Sequence, residues 1–142
     1  MTGLAFGLVF QAALLASGAN PYDQAYADAT GKGQPLLVLV GADWCPGCRT
    51  MKQSVLPSMA SNGRLNGVSF SVVNTDSDSA LANRLMRGST IPQLIVFSKT
   101  ATGWHREQIT GATSPQAVEG LIGRAVAAQA PRQPTPDATA GN

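Results

Sequence analysis

Residues 43–48 read DWCPGC, and Cys45 and Cys48 are the only two cysteines in the chain. Two thiols three positions apart can be a staple, a metal clip or a redox pair. A ring this small constrains the unfolded chain by only about 2 kcal/mol, against roughly 3 kcal/mol for a fifteen-residue loop. A structural zinc site usually takes four Cys or His ligands, and beyond the two thiols the chain offers only His105. What remains is a dithiol that opens and closes, which is how CxxC between a strand and a helix reads.

Such a pair needs a helix to begin at the first sulfur. Cys45 stands at the end of an apolar run and Cys48 one turn into the next helical segment. A sulfur at a helix N-terminus faces unsatisfied N–H groups and the positive end of the dipole. That position lowers a thiol pKa, so Cys45 is expected to attack and Cys48, less exposed, to resolve. Pro46 suits the first helical position, where its missing N–H costs nothing. Gly47 is expected to let a substrate backbone approach, and Trp44 to wall the binding surface.

The elements that would position this pair follow from periodicity. Asn20-Pro21 is read as the cap and first turn of a helix whose apolar face is Tyr22, Ala25, Tyr26 and Ala29, ended by Gly31 and Gly33. LLVLV at 36–40 is a strand covered on both faces. The CPGC helix carries Met51 and Val55 inward and is broken or restarted at Pro57. VSFSVVN (68–74) is the next strand, and 79–87 a helix with Leu81, Ala82, Leu85 and Met86 as apolar pairs. Two strands, 93–98 and 104–110, flank the hairpin loop KTATG. Ser114-Pro115 opens a last helix striped by Val118, Leu121, Ile122, Ala125 and Val126. The order is α-β-α-β-α-β-β-α, with parallel early strands and antiparallel edges from the hairpin.

At 142 residues the chain fits one domain; it is 44% hydrophobic, 13% charged and carries a net charge of +2. That surface has no electrostatic footprint for nucleic acid. Residues 1–19, MTGLAFGLVFQAALLASGA, are apolar from Leu4 to Ala16 apart from Gln11 and then turn small. They match the apolar region and cleavage site of a signal peptide, although no Lys or Arg precedes the run. Thirteen residues of helix reach about 20 Å, short of a bilayer core of about 30 Å. A buried first element and a membrane anchor are the alternatives. Residues 130–142, APRQPTPDATAGN, hold three prolines and no large apolar side chain and are expected to form a disordered tail. The folded unit is therefore expected over 20–129.

With these features the chain resembles the thioredoxin superfamily. The resemblance covers about residues 22–128 and rests on WCPGC after a buried strand, Thr90-Ile91-Pro92 before the penultimate strand, a strand hairpin, and a closing helix preceded by Gly111. The stretch GKGQPLLVLVGADWCPGC is similar to small exported members. The resemblance implies an α/β fold with a mixed sheet of about four strands and a cis peptide before Pro92. It also implies a free Ile91 backbone that pairs with an extended substrate, in the manner of strand addition. It implies protein disulfides or dithiols as partners together with a redox donor or acceptor, no bound cofactor, a monomer, and an exported, periplasmic location; a cytoplasmic or anchored protein is the alternative.

One departure is expected to matter. Where the family buries an aspartate beneath the second cysteine this chain has Leu39, and the partner lysine aligns with Val72. Both are apolar, so no charge is left unpaired, and the proton acceptor for Cys48 is open. Asp43, the nearest carboxylate in sequence, reads as a solvated charge, and water or the leaving group is expected to handle the proton. Arg49 and Lys52 read as a wet helical face, His105 as exposed on a strand, and NTDSDS (74–79) as a loop and helix cap. Members of this fold span roughly 150 mV, about 7 kcal/mol; the ADWC context leans towards a reductant. A non-catalytic binding module and a soft-metal carrier, for example of Cu(I), are the rival functions.

Overall fold

A computed structural model of the chain describes residues 20–129. The signal peptide expected over 1–19 and the tail expected over 130–142 lie outside the described residues. Among those described, no helix is long and apolar enough to cross a membrane.

The elements are α1 (Tyr22–Lys32), β1 (Leu36–Gly41), α2 (Pro46–Thr50), a π-helical turn (Met51–Val55), α3 (Leu56–Ser61), β2 (Ser69–Asn74), α4 (Ser79–Leu85), β3 (Gln93–Thr100), β4 (Gly103–Thr110) and α5 (Pro115–Ala128). The four strands form one sheet in the order β2-β1-β3-β4. β1 runs parallel to β2 and antiparallel to β3, which pairs antiparallel with β4. The hairpin therefore contributes one edge strand, not two, because β3 is enclosed between β1 and β4.

β1 explains why its sequence is apolar without alternation. Every residue from Leu36 to Gly41 is buried, since helices cover both faces. Leu37 and Leu39 join Met51, Leu56, Met59, Val118, Leu121 and Ala125 on one side. Leu36, Val38 and Val40 meet Ala25, Ala29, Ala82 and Leu85 on the other. Each large buried side chain contributes about 1.5–3 kcal/mol relative to exposure. This two-sided burial makes β1 the rigid stem from which the CPGC segment rises.

Several local expectations change. Asn20 does not cap α1: its N–H donates to Phe70 O at 2.9 Å, and it bridges Ser71 beside the outer edge of β2. Pro21 takes the capping position, without a side-chain hydrogen bond. Gly31 lies inside the helix, and Gly33, with φ +63°, ends it alone. Pro57 does not break its helix. The chain widens into a π turn just before it, where Leu56 N–H reaches back to Met51 O, and continues. The extra residue accommodates the N–H that proline lacks. α4 stops at Leu85, two residues early, because Met86 adopts an extended backbone. The hairpin turns on Ala101 and Thr102 only. Val126 is 48% exposed and lies off the buried stripe of α5.

Candidate redox site

Cys45 caps the helix that follows β1. Its backbone is extended, Pro46 occupies the first helical position, and its Sγ accepts the Cys48 N–H at 3.2 Å. Cys45 and Cys48 are disulfide-bonded, with Cα atoms 5.2 Å apart. A sulfur capped by a backbone N–H at a helix start is held where negative charge is favoured. The expected contrast in exposure between the two is small: Cys45 is 6% and Cys48 4% exposed. The whole disulfide packs down onto the sheet, so both sulfurs are shielded in this state.

Two glycines make that packing possible. A Cβ on Gly41 would stand 2.6 Å from Cys48 Sγ and 2.9 Å from its Cβ, so the end of β1 must lack a side chain. Gly41 was not singled out by sequence; its place as the last strand residue before the motif was the available signal. Gly47 is needed first within the protein itself. Its missing Cβ would lie 3.3 Å from Pro92 Cδ and 3.5 Å from Ala112 Cβ. The close approach it permits is thus to the protein's own proline loop, which brings Pro92 against the CPGC turn.

The Ile91–Pro92 peptide bond is cis. Pro92 is buried and Ile91 half-buried, and Pro92 O accepts the Gly111 N–H at 2.8 Å. Gln93, fully buried, fastens the loop that precedes it. Its Nε2 donates to Arg87 O at 2.9 Å, Thr90 O at 3.0 Å and Gly88 O at 3.3 Å, while its Oε1 accepts Arg87 N–H at 3.1 Å. Sequence reasoning treated Gln93 only as the start of a strand. A polar residue opening an otherwise apolar strand was the clue.

Trp44 is 66% exposed and stands beside the disulfide, tethered by its Nε1–H to Asp76 Oδ2 at 3.0 Å. Asp76 belongs to the β2–α4 loop, whose turn is held by Asn74 Oδ1 accepting the N–H groups of Asp76 (2.8 Å) and Ser77 (3.2 Å). The polar stretch 74–79 therefore orients Trp44; its N-cap residue, Asp78, makes no side-chain cap bond.

Behind Cys48 lies a pocket of about 130 Å3. Leu39 and Val72, aligned directly across β1 and β2, line it with Cys48, and Asp43, Lys52 and Asn74 are also among its lining residues. Asp43 is 81% exposed, with Lys52 Nζ at 3.7 Å and Arg49 donating to its backbone carbonyl at 3.2 Å. These three groups form a solvated cluster, and such exposed pairs contribute little. His105 lies on β4 with its side chain 39% exposed, 3.2 Å from Glu107. Among the described residues no group of three or more His, Cys, Asp or Glu could hold a metal ion.

A four-stranded mixed sheet, a disulfide at CxxC spacing on a helix N-terminus and a proline loop packed against it define a thioredoxin-like protein. The thioredoxin-like domain family matches residues 22–125, and the chain belongs to that family. The chain is similar to the protein named Trxlp from Edwardsiella tarda, at 30% identity over 72% of this chain and 95% of that one, with a TM-score of 0.56. Chloroplastic thioredoxin z (19% identity, 77% of this chain, 93% of that one, TM-score 0.61) shares the fold. A thioredoxin from Thermus thermophilus does so too (23% identity, 73% and 82%, TM-score 0.58). No curated protein matches the chain.

Proposed function

We propose that the chain is a thiol–disulfide oxidoreductase in which Cys45 is the attacking and Cys48 the resolving sulfur, acting on protein disulfides. The observation that carries this reading is the Cys48 N–H aimed at Cys45 Sγ at 3.2 Å on a helix start, since that donor stabilises a thiolate once the disulfide opens. In the reducing direction the Cys45 thiolate bonds to one substrate sulfur, and the substrate disulfide breaks. The departing substrate sulfur leaves as a thiolate and takes a proton from water. Cys48 then loses its proton and displaces the second substrate thiolate from Cys45. Two electrons have passed to the substrate, and the Cys45–Cys48 disulfide is restored. The oxidising direction is the same sequence reversed.

Leu39 and Val72 supply no base at Cys48, so its proton leaves through the pocket to water or to the substrate's own departing thiolate. For binding, the N–H and C=O of Ile91 enter none of the turn and loop hydrogen bonds among the described residues. They are available to pair with an extended substrate backbone, with Trp44 beside it. Neither step uses a bound cofactor. The composition of residues 1–19 supports export, which N-terminal sequencing of the mature protein checks: a mature chain that begins at Met1 rejects it.

The deciding measurement is reduction of insulin by the wild-type chain and by Cys45→Ser and Cys48→Ser. Cys45→Ser is expected to lose turnover completely. Cys48→Ser is expected to stall as a mixed disulfide that can be isolated. Turnover persisting in Cys45→Ser sinks the assignment of Cys45 as the attacking sulfur, and no turnover by the wild-type chain leaves a binding module. Equilibration of the Cys45–Cys48 couple with glutathione then gives the direction of electron flow.

A further inference from the structure

A second cavity, of about 270 Å3, opens at the other end of the sheet. Leu36, which lines it, is the first residue of β1, whereas the dithiol follows the last; five strand steps separate them by about 17 Å. The faces differ as well, since Leu36 belongs to the α1 and α4 side and Leu39 to the side that carries Cys48. Nothing in the redox chemistry uses this cavity.

Its lining is aromatic. Tyr22 and Tyr26 of α1 stack with ring centroids 6.2 Å apart, and Tyr26 meets Trp104 of β4 at 5.8 Å. Buried Leu85 and half-buried Phe97 add apolar surface. Tyr26 and Trp104 nonetheless stay 43% and 37% exposed, an apolar aromatic surface left to solvent on a lightly charged protein.

The charged groups of the lining all have one sign. Arg84 and Arg106 line the cavity, and no Asp or Glu does. Arg84 has no ion pair among the described residues. Arg106 stacks over Phe97 at 5.5 Å and donates to Leu85 O and Gln108 Oε1, yet its Nε is buried without a partner. Lys99 lies 5.3 Å from the Trp104 ring and adds a third positive charge nearby.

Such a site repels cations, and a purely apolar guest would strip water from Arg84 without replacing it. A flat ring fits the aromatic wall, and an anionic group fits the guanidinium donors. The volume of about 270 Å3 lies just below the usual range for drug-sized ligands, which limits the guest to a small one. We propose that this cavity binds a small aromatic carboxylate, its ring against Tyr26 and Trp104 and its carboxylate on Arg84 and Arg106. The site is independent of the dithiol, so insulin reduction and ligand binding can fail separately.

The test is an NMR titration of the oxidised, full-length chain with 2-naphthoate, alongside its neutral counterpart 2-naphthalenemethanol. Saturable shifts are expected at the Trp104 indole N–H and the Arg106 guanidinium, with Trp44 unmoved. Arg84→Gln, on an exposed side chain, is expected to weaken 2-naphthoate about tenfold through loss of a charge-assisted contact. Three outcomes of the titration overturn the proposal. They are shifts that do not saturate, equal affinity for the neutral alcohol, and unchanged affinity in Arg84→Gln. Shifts at Trp104 that follow protein concentration without ligand also overturn it, assigning the face to a second copy of the chain.

Discussion

The two ends of the sheet are built from different materials. At the dithiol end the key atoms are backbone: the Cys48 N–H that donates to the Cys45 sulfur, two glycines that clear space for Cys48 and Pro92, and a proline turn. At the far end they are large side chains from α1, β1, α4, β3 and β4 converging on one cavity. Backbone geometry tolerates little change, because a displaced carbonyl or an added Cβ has nowhere to go. A cavity lined by exposed side chains tolerates truncation, losing affinity rather than the fold.

That contrast can be broken most directly at Gln93. Gln93→Leu removes every bond that fastens the 87–90 loop, leaving an N–H and three carbonyls to find new partners. A loss of about 2–4 kcal/mol in urea unfolding is expected, with insulin turnover falling alongside; an unchanged midpoint would mean that the loop holds without it. Gly41→Ala comes next. Its Cβ collides with Cys48, and overpacking of this kind costs about 1–3 kcal/mol. The control is Gly31→Ala, which meets nothing within 4 Å and is expected to be stabilising by about 0.5–1 kcal/mol, as for glycine within a helix. Similar melting temperatures for the two variants would undo the claim that space at Cys48 is limiting.

Asp76→Ala tests whether the exposed Trp44 needs its tether. Loss of one hydrogen bond of about 1 kcal/mol is expected to raise KM for insulin while kcat stays near wild type. A fall in kcat at constant KM would instead tie Asp76 to the chemistry. The smallest effect belongs to Glu107, which lies at neither end. Hydrogen bonds from Arg124 (2.6 Å) and then His105 hold its carboxyl below the usual carboxylate range. Because the folded pKa is lowered, the stabilisation is present above the unfolded value of about 4.3 and is lost as pH falls through the folded value. Glu107→Gln should therefore be slightly less stable than wild type at neutral pH, and the two should converge in acid. Urea midpoints measured across that range check it.

Much of this molecule can be read directly from its residues. The WCPGC stretch, the Ile-Pro before β3 and the apolar run of β1 carry local signals, because capping, proline geometry and two-sided burial act over a few neighbouring residues. The same locality explains the errors. Asn20 has the composition of a cap but is drawn away to pair with Phe70 and Ser71, some fifty residues on. Pro57 has the composition of a break but is absorbed by a π turn. In each case a contact or register set elsewhere in the chain outweighed a weak local preference.

By itself, then, the sequence determined the order of elements, the helix that starts at Cys45 and the apolar pair Leu39 and Val72. Only the tertiary structure decided that Gly41 must clear Cys48, that Gly47 faces Pro92, that Asp76 holds Trp44 and that Gln93 fastens the proline loop. It alone gathered Tyr22, Arg84, Trp104 and Arg106 around one cavity. The physical reason is range: helix starts and strand patterns are decided within a few residues, whereas excluded volume and hydrogen bonds across the sheet depend on which distant segments the packed core brings together.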